Sequence, residues 1–220
     1  MRILALAAFL LATSAMAKPA VLTNGLIVDG SGEAPYAGWL AMDGDRITGI
    51  GKGAAPASVT GGASVTDVKG QAISPGFVNM LSWANDSLII DGASESDIRQ
   101  GVTLEVMGEG TSPGPITDAM AARKEAGQTD IRYPVPWRTL GGYWKFLEQR
   151  GIATNVASFV GATTVRSIVL GQADVDPDPV QLSRTAQLVC VQGFESMRSS
   201  TPGFQAKCYV LCCRNRWPFE

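Results

Sequence analysis

The chain has no histidine among its 220 residues. That absence removes the side chain that most often serves as general base near neutral pH and as zinc ligand. A Ser-His-Asp or Cys-His site is thereby excluded, and no serine is followed three residues later by lysine, so the common serine-lysine spacing is missing too. An excess of charge of one sign is also lacking, with 18 Lys and Arg against 20 Asp and Glu. Nucleic-acid binding then has no electrostatic basis, and no nucleic-acid partner is expected. No apolar run is long enough to cross a bilayer, so no membrane span is expected either. Cysteine is confined to the far end, at Cys190, Cys208, Cys212 and Cys213.

What is present is a chain 45% apolar and 17% charged, long enough for one ordinary domain or two small ones. Residues 1–17 read as a secretory signal: Met1 and Arg2, an apolar run from Ile3 to Ala12, then Ala15-Met16-Ala17 as a small-x-small cleavage pattern. Cleavage is expected after Ala17, with export to the periplasm or secretion. Lys18-Pro19 follows and breaks any helix, and no cysteine follows the run, so a lipid-anchored form is not indicated.

Beyond the signal the pattern changes twice. From Val21 to Val78, short Gly-, Val- and Ile-rich segments with frequent turn residues predict a small β layer. Trp39-Leu40-Ala41-Met42 meets Arg46-Ile47-Thr48-Gly49-Ile50 through Asp43-Gly44-Asp45, a hairpin signal. From Phe77 to about Gln192, strand and helix alternate. Val102 to Met107 predicts a strand, Ile116 to Ala126 a helix closed by Gly127, Leu140 to Arg150 a helix closed by Gly151, and Ile152 to Val160 another strand. Asp178-Pro179 supplies a cap and first-turn proline for a further helix. Such βα alternation implies a parallel sheet, open or closing into a barrel. The second change falls near Leu188, where the amphipathic stripe is lost.

Few residues carry chemistry by type and position. Gly49-Ile50-Gly51-Lys52-Gly53-Ala54 has the look of a dinucleotide loop, but no helix is expected after it to receive a pyrophosphate, and a plain turn is the better account. Glu109, in the loop Gly108-Glu109-Gly110 after the Val102 to Met107 strand, stands at the edge where parallel sheets place their sites. It reads as an acid, a base or a ligand for a divalent cation; the plainer account is a solvated loop carboxylate. Trp137, Tyr143 and Trp144 suggest a ligand platform, but Tyr143, Phe146 and Leu147 at helical spacing favour a core role. Asp174, Asp176 and Asp178 alternate, yet Pro177 and Pro179 interrupt any calcium-loop spacing, and Asp178 is a cap. Arg123, Lys124 and Glu125 read as a solvated helix face. The four cysteines have three readings: out-of-frame residues without a role, two disulfides, or a structural metal site.

Several segments together carry a family resemblance. Ala20 to Gly32, Asp43 to Gly51 and Ile73-Ser74-Pro75-Gly76-Phe77-Val78-Asn79 resemble the start of the amidohydrolase superfamily. Gln100-Gly101-Val102-Thr103, the Gly108-Glu109-Gly110 loop with Ser112-Pro113-Gly114-Pro115, and Asn155 to Gly161 are similar to its D-aminoacylase (N-acyl-D-amino-acid deacylase) branch. The resemblance runs over roughly residues 20 to 188 in the family's order. It implies an α/β fold, a small β-sandwich beside a (β/α)8 barrel, and zinc-dependent hydrolysis of linear amides, with an N-acyl amino acid or peptide as small-molecule substrate.

The departures from that family are as informative. Where the family's first barrel strand carries His-x-His, this chain has Leu81 and Trp83, which cannot bind zinc. The next ligand position, usually Cys, falls in Gly108-Glu109-Gly110, where one residue is missing against the family pattern. Glu109 is the nearest metal-competent group. Two further His ligands and a catalytic Asp lie on later strands of the family, past the last matching residue. Without the signal and roughly 60 residues of β layer, about 140 remain, against about 250 for a complete barrel. The expected organisation is therefore a signal at 1–17, β-sandwich at 18–76, the first βα units of an incomplete barrel at 77–188, and a Cys-rich tail foreign to the family at 189–220. The expected function is that of a truncated or divergent deacylase-like hydrolase whose Zn²⁺ is not retained; the alternative is a non-catalytic fragment or pseudoenzyme.

Overall fold

The computed structural model describes residues 18–198, with side chains to residue 191. The expected signal segment and Cys208, Cys212 and Cys213 lie outside the described residues. The chain divides into two compact units at Pro75/Gly76.

The first unit is built on β1 (Ala20–Ile27), β2 (Tyr36–Asp43), β3 (Arg46–Lys52), the single turn α1 (Ala57–Thr60), β4 (Ser64–Asp67) and β5 (Ala72–Ile73). They form one five-stranded mixed sheet in the order β3-β2-β1-β4, with β5 pairing farther along β1. The β1–β2 and β2–β3 pairs are antiparallel, whereas β4 and β5 run parallel to β1. The expected hairpin is present, with Asp43 opposite Arg46 and Gly44 and Asp45 between them. Val21, Ile27, Leu40 and Ala41 supply its buried apolar residues. The expected hairpin strand Arg46 to Ile50 runs on to Lys52, so most of the stretch Gly49 to Ala54 read as a plain turn is instead the second half of β3. The indole of Trp39 explains it: a Cβ on Gly51 would stand 2.7 Å from three atoms of that ring. The glycines that mimic a phosphate loop are there so that a tryptophan can lie across the strand. One turn of helix, α1, does follow, but four residues do not make an anion-binding terminus.

The second unit contains β6 (Phe77–Asn79), α2 (Ser87–Ile90), α3 (Glu95–Ile98), β7 (Val102–Met107), α4 (Asp118–Ala126), α5 (Leu140–Arg150), β8 (Asn155–Ser158), α6 (Ala162–Leu170) and α7 (Pro179–Arg198). β6, β7 and β8 form a parallel sheet with β7 central. The helix expected from Ile116 starts at Asp118, because Thr117 caps it by accepting the Met120 N–H at 3.2 Å. The Ile116 N–H is already used by the Arg138 carbonyl. α5 has the expected bounds, capped by Thr139, which accepts the Gly142 N–H at 3.0 Å. α7 starts with a reciprocal cap: Asp178 accepts the Gln181 N–H at 2.8 Å, and the Gln181 side chain accepts the Asp178 N–H at 2.9 Å. It continues without a break past Leu188 and carries Cys190. The change seen near Leu188 is one of composition, not of backbone path.

α5 organises the core of this unit. Leu140, Tyr143, Trp144 and Leu147 are fully buried on it and pack with Leu88 and Ile89 of α2, Met107 of β7 and Val156 of β8. Each such burial is worth about 1.5–3 kcal/mol. Trp137 meets Tyr143 edge-on with ring centroids 5.1 Å apart and gives its indole N–H to the Pro113 carbonyl at 2.8 Å. The aromatic group is thus a core, as its helical spacing indicates; Trp137 and Tyr143 give their polar hydrogens to backbone carbonyls, whereas the buried Trp144 indole N–H has no partner among the described residues.

Candidate functional site

The carboxyl ends of β6, β7 and β8 converge on three connections: the segment after Asn79, the loop from Gly108, and the turn from Phe159 to Gly161. The Ser82 N–H bonds the Val106 carbonyl at 2.9 Å, so the first connection stays beside β7 for several residues. It presents Leu81 and Trp83 outward, 53% and 65% exposed.

Glu109 sits at the tip of the second connection and is exposed. The loop around it is nonetheless tightly held. Gly108 has φ +85, and a Cβ there would lie 2.2 Å from the Phe159 carbonyl oxygen and 2.3 Å from Ser158 Oγ, so only glycine fits. The Gly110 carbonyl accepts the Thr163 N–H at 2.9 Å, Ser112 Oγ accepts the Gly161 N–H at 2.9 Å, and Thr164 Oγ1 accepts the Ser112 N–H at 2.8 Å. The backbone is thereby fixed against the start of α6 while the Glu109 side chain stays in solvent. Among the described residues, no three His, Cys, Asp or Glu side chains gather as a metal-binding group. Leu81, Trp83 and the lone Glu109 do not fit a zinc centre, which takes four N, S or O donors in a closed site and three with water in an open one.

A carboxylate that sequence reasoning passed over lies behind this surface. Glu105, in the middle of β7, is fully buried. Its Oε2 accepts the Ser82 hydroxyl at 2.6 Å, and its Oε1 accepts those of Ser94 and Thr154, both at 2.9 Å. The three donors come from the segment after β6, the N-cap of α3 and the residue before β8. One buried side chain therefore ties together the connections of all three strands. The signal was legible as a single acid inside Val-Thr-Leu-Glu-Val-Met, a strand whose parallel setting predicts burial on both faces. Its hydroxyl partners, 11 to 49 residues away, were not.

Two phenols share this interior. Burial, then the nearby Asp86 carboxylate, pushes the Tyr133 pKa well above the ordinary 10.0. Burial first, then Asp86, Tyr133 and Glu105, does the same to Tyr143, whose hydroxyl donates to the Asn85 carbonyl at 2.7 Å. Of the helix face Arg123, Lys124 and Glu125, only Arg123 stays exposed without a side-chain partner among the described residues. Lys124 pairs with Asp86 at 2.9 Å, and Glu125 accepts the Val135 N–H at 2.6 Å, because the fold brings the start of α2 and the loop after α4 to them.

No protein-family model matches the chain. It is similar to the N-acyl-D-aspartate deacylase of Alcaligenes xylosoxydans xylosoxydans, 29% identical over 167 residues that cover 72% of this chain and 32% of that protein. Among solved structures, a D-aminoacylase with a binuclear metal centre superposes with a TM-score of 0.67 at 23% identity, over 85% of this chain and 38% of that one. The N-acyl-D-glutamate deacylase of Bordetella bronchiseptica, complexed with zinc and a phosphonate inhibitor, superposes with a TM-score of 0.64 at 20% identity, over 81% of this chain and 36% of that one. The chain spans about a third of the length of these relatives.

Proposed function

We propose that this chain, which resembles part of the D-aminoacylase-like amidohydrolases over the length it shares with them, serves a deacylase-like hydrolase of small linear amides such as N-acyl amino acids. In this reading the single sheet of the first unit is part of the small β-sandwich, the second unit is the first βα units of an incomplete (β/α)8 barrel, and the Cys-rich end is foreign to the family. What supports it is a structural likeness to a D-aminoacylase over 85% of this chain, together with 29% identity to an N-acyl-D-aspartate deacylase over 72% of it. Export to the periplasm or beyond belongs to the same proposal and rests on the sequence of residues 1–17 alone.

Glu109 is the metal-competent side chain this segment offers at the carboxyl edge. A single carboxylate does not hold zinc, so a metal centre there would need donors from outside residues 18–198. A second reading, a non-catalytic fragment or pseudoenzyme, is favoured by Leu81 and Trp83 standing where the resemblance implies a histidine pair.

The test is a transplant of residues 20–188 into the Alcaligenes N-acyl-D-aspartate deacylase in place of its matching segment, assayed for release of D-aspartate from its N-acyl derivative. A folded but inactive chimera that gains at least about a hundredfold in activity with Leu81→His and Trp83→His supports the hydrolase reading, since an altered first metal pair then accounts for the defect. An insoluble chimera, or a folded one that the histidines do not rescue, defeats it.

A further inference from the structure

A cavity of about 460 Å³ opens beside the C-terminal half of α4, walled by Asp86, Arg123, Lys124, Asp130, Ile131 and Tyr133 among others. Its volume falls within the range of small-molecule sites. No residue of the Glu109 loop lines it. Gln128 also lines it but is fully engaged, giving its amide N–H to the Tyr133 carbonyl at 3.0 Å and accepting the Tyr133 N–H at 2.9 Å. That pair of hydrogen bonds ties the loop before Tyr133 to the end of α4.

The charges on the walls are unevenly satisfied. Lys124 is held by Asp86 at 2.9 Å and stands 5.9 Å from the centroid of the Tyr133 ring. Arg123 and Asp130, of opposite sign, make no side-chain hydrogen bond or ion pair among the described residues. Tyr133 is only 6% exposed, and its hydroxyl is buried beside the Asp86 carboxylate without a hydrogen bond of good geometry to it or to any other described residue. A buried hydroxyl without a partner is uncommon in a folded protein and calls for an explanation.

We propose that this cavity binds a small dipolar ion of free amino-acid size, its carboxylate on Arg123 and Lys124 and its ammonium group on Asp130. The charge balance favours that class. A simple anion would meet Asp86 and Asp130, and a simple cation would meet Arg123 and Lys124, whereas a dipolar ion satisfies both signs. Guanidinium suits the carboxylate because its planar fork can hold both oxygens. A ligand carboxylate that shares Lys124 loosens the grip of that lysine on Asp86, which then accepts the Tyr133 hydroxyl. Occupancy thus supplies the missing partner. The inference stands apart from the hydrolase reading, since it uses no residue of the carboxyl-edge site.

The test is titration of the purified full chain with alanine and leucine, followed calorimetrically and by tyrosine fluorescence, beside N-acetylalanine, which lacks the ammonium group, and alaninamide, which lacks the carboxylate. Saturable binding of the free amino acids, weakened at least about tenfold for both derivatives, is expected. Arg123→Gln and Asp130→Asn should each weaken it about tenfold; both residues are exposed, so neither replacement threatens the fold. Tyr133→Phe should weaken it without lowering the thermal midpoint, because it deletes an unpartnered donor. Equal binding of N-acetylalanine, absence of saturable binding by either amino acid, or indifference to Arg123→Gln would overturn the proposal.

Discussion

A carboxylate that is fully out of solvent survives in a fold only if its lone pairs are occupied, and Glu105 has them occupied by three hydroxyls. Replacing it with leucine strands Ser82, Ser94 and Thr154 at once. With each orphaned buried group costing about 1–3 kcal/mol, Glu105→Leu is expected to lower unfolding free energy by about 3 kcal/mol or more, measured by urea denaturation. Glu105→Gln keeps one oxygen and should cost less than half as much. The buried phenols make a second prediction. Tyr133 and Tyr143 have native pKa values above the ordinary 10.0, so the unfolded chain releases these protons first. Their contribution to stability is whole below pH 10 and is lost as pH rises through the native values. Urea midpoints should therefore fall between pH 9 and 11, and Tyr143→Phe should flatten that fall; a profile unchanged by the substitution would refute it.

At the scale of elements, capping and close approach decide where the chain turns. Thr139→Ala removes the side-chain acceptor at the start of α5, the helix that carries four fully buried residues. A loss of about 1 kcal/mol is expected from thermal or urea unfolding. Gly108→Ala is predicted to be worse than a loop substitution normally is. The added methyl meets the Phe159 carbonyl at 2.2 Å on a residue with φ +85, so the loop must leave β8 or the strand must bend. Faster amide exchange at Gly161 and Thr163, whose N–H groups bond to Ser112 and Gly110, is the readout. The same physics shows why the stretch Gly49 to Ala54 reads as a turn although β3 runs through Lys52. Glycine spacing reports that backbone must come close to something, and the neighbour was the ring of Trp39 rather than a phosphate.

Across the whole molecule the exposed apolar surface stands out. Phe77, Val78, Met80, Leu81 and Trp83, on β6 and the connection after it, are all exposed. β6 also lies at the end of its sheet's strand order, and such an edge invites pairing with another chain. Hydrophobic-dye binding and concentration-dependent light scattering are expected for residues 18–198, and Phe77→Lys with Trp83→Ser should reduce both. A monodisperse, dye-silent protein would count against this.

The sequence alone determined the alternation of strands and helices, the β2–β3 hairpin, the bounds of α5, the cap at Asp178 and the resemblance to deacylases. These depend on local periodicity, turn chemistry and short ordered motifs, which are written in neighbouring residues. It also determined, through the absence of histidine, that no imidazole serves as base or metal ligand within these 220 residues. Only the tertiary structure decided that Glu105 rather than Glu109 is the deeply held carboxylate, that Lys124 answers Asp86, and that Tyr133 borders a charged cavity. Those outcomes depend on which distant residues meet, between 11 and 49 positions apart in these cases, and no local pattern in the chain encodes such meetings.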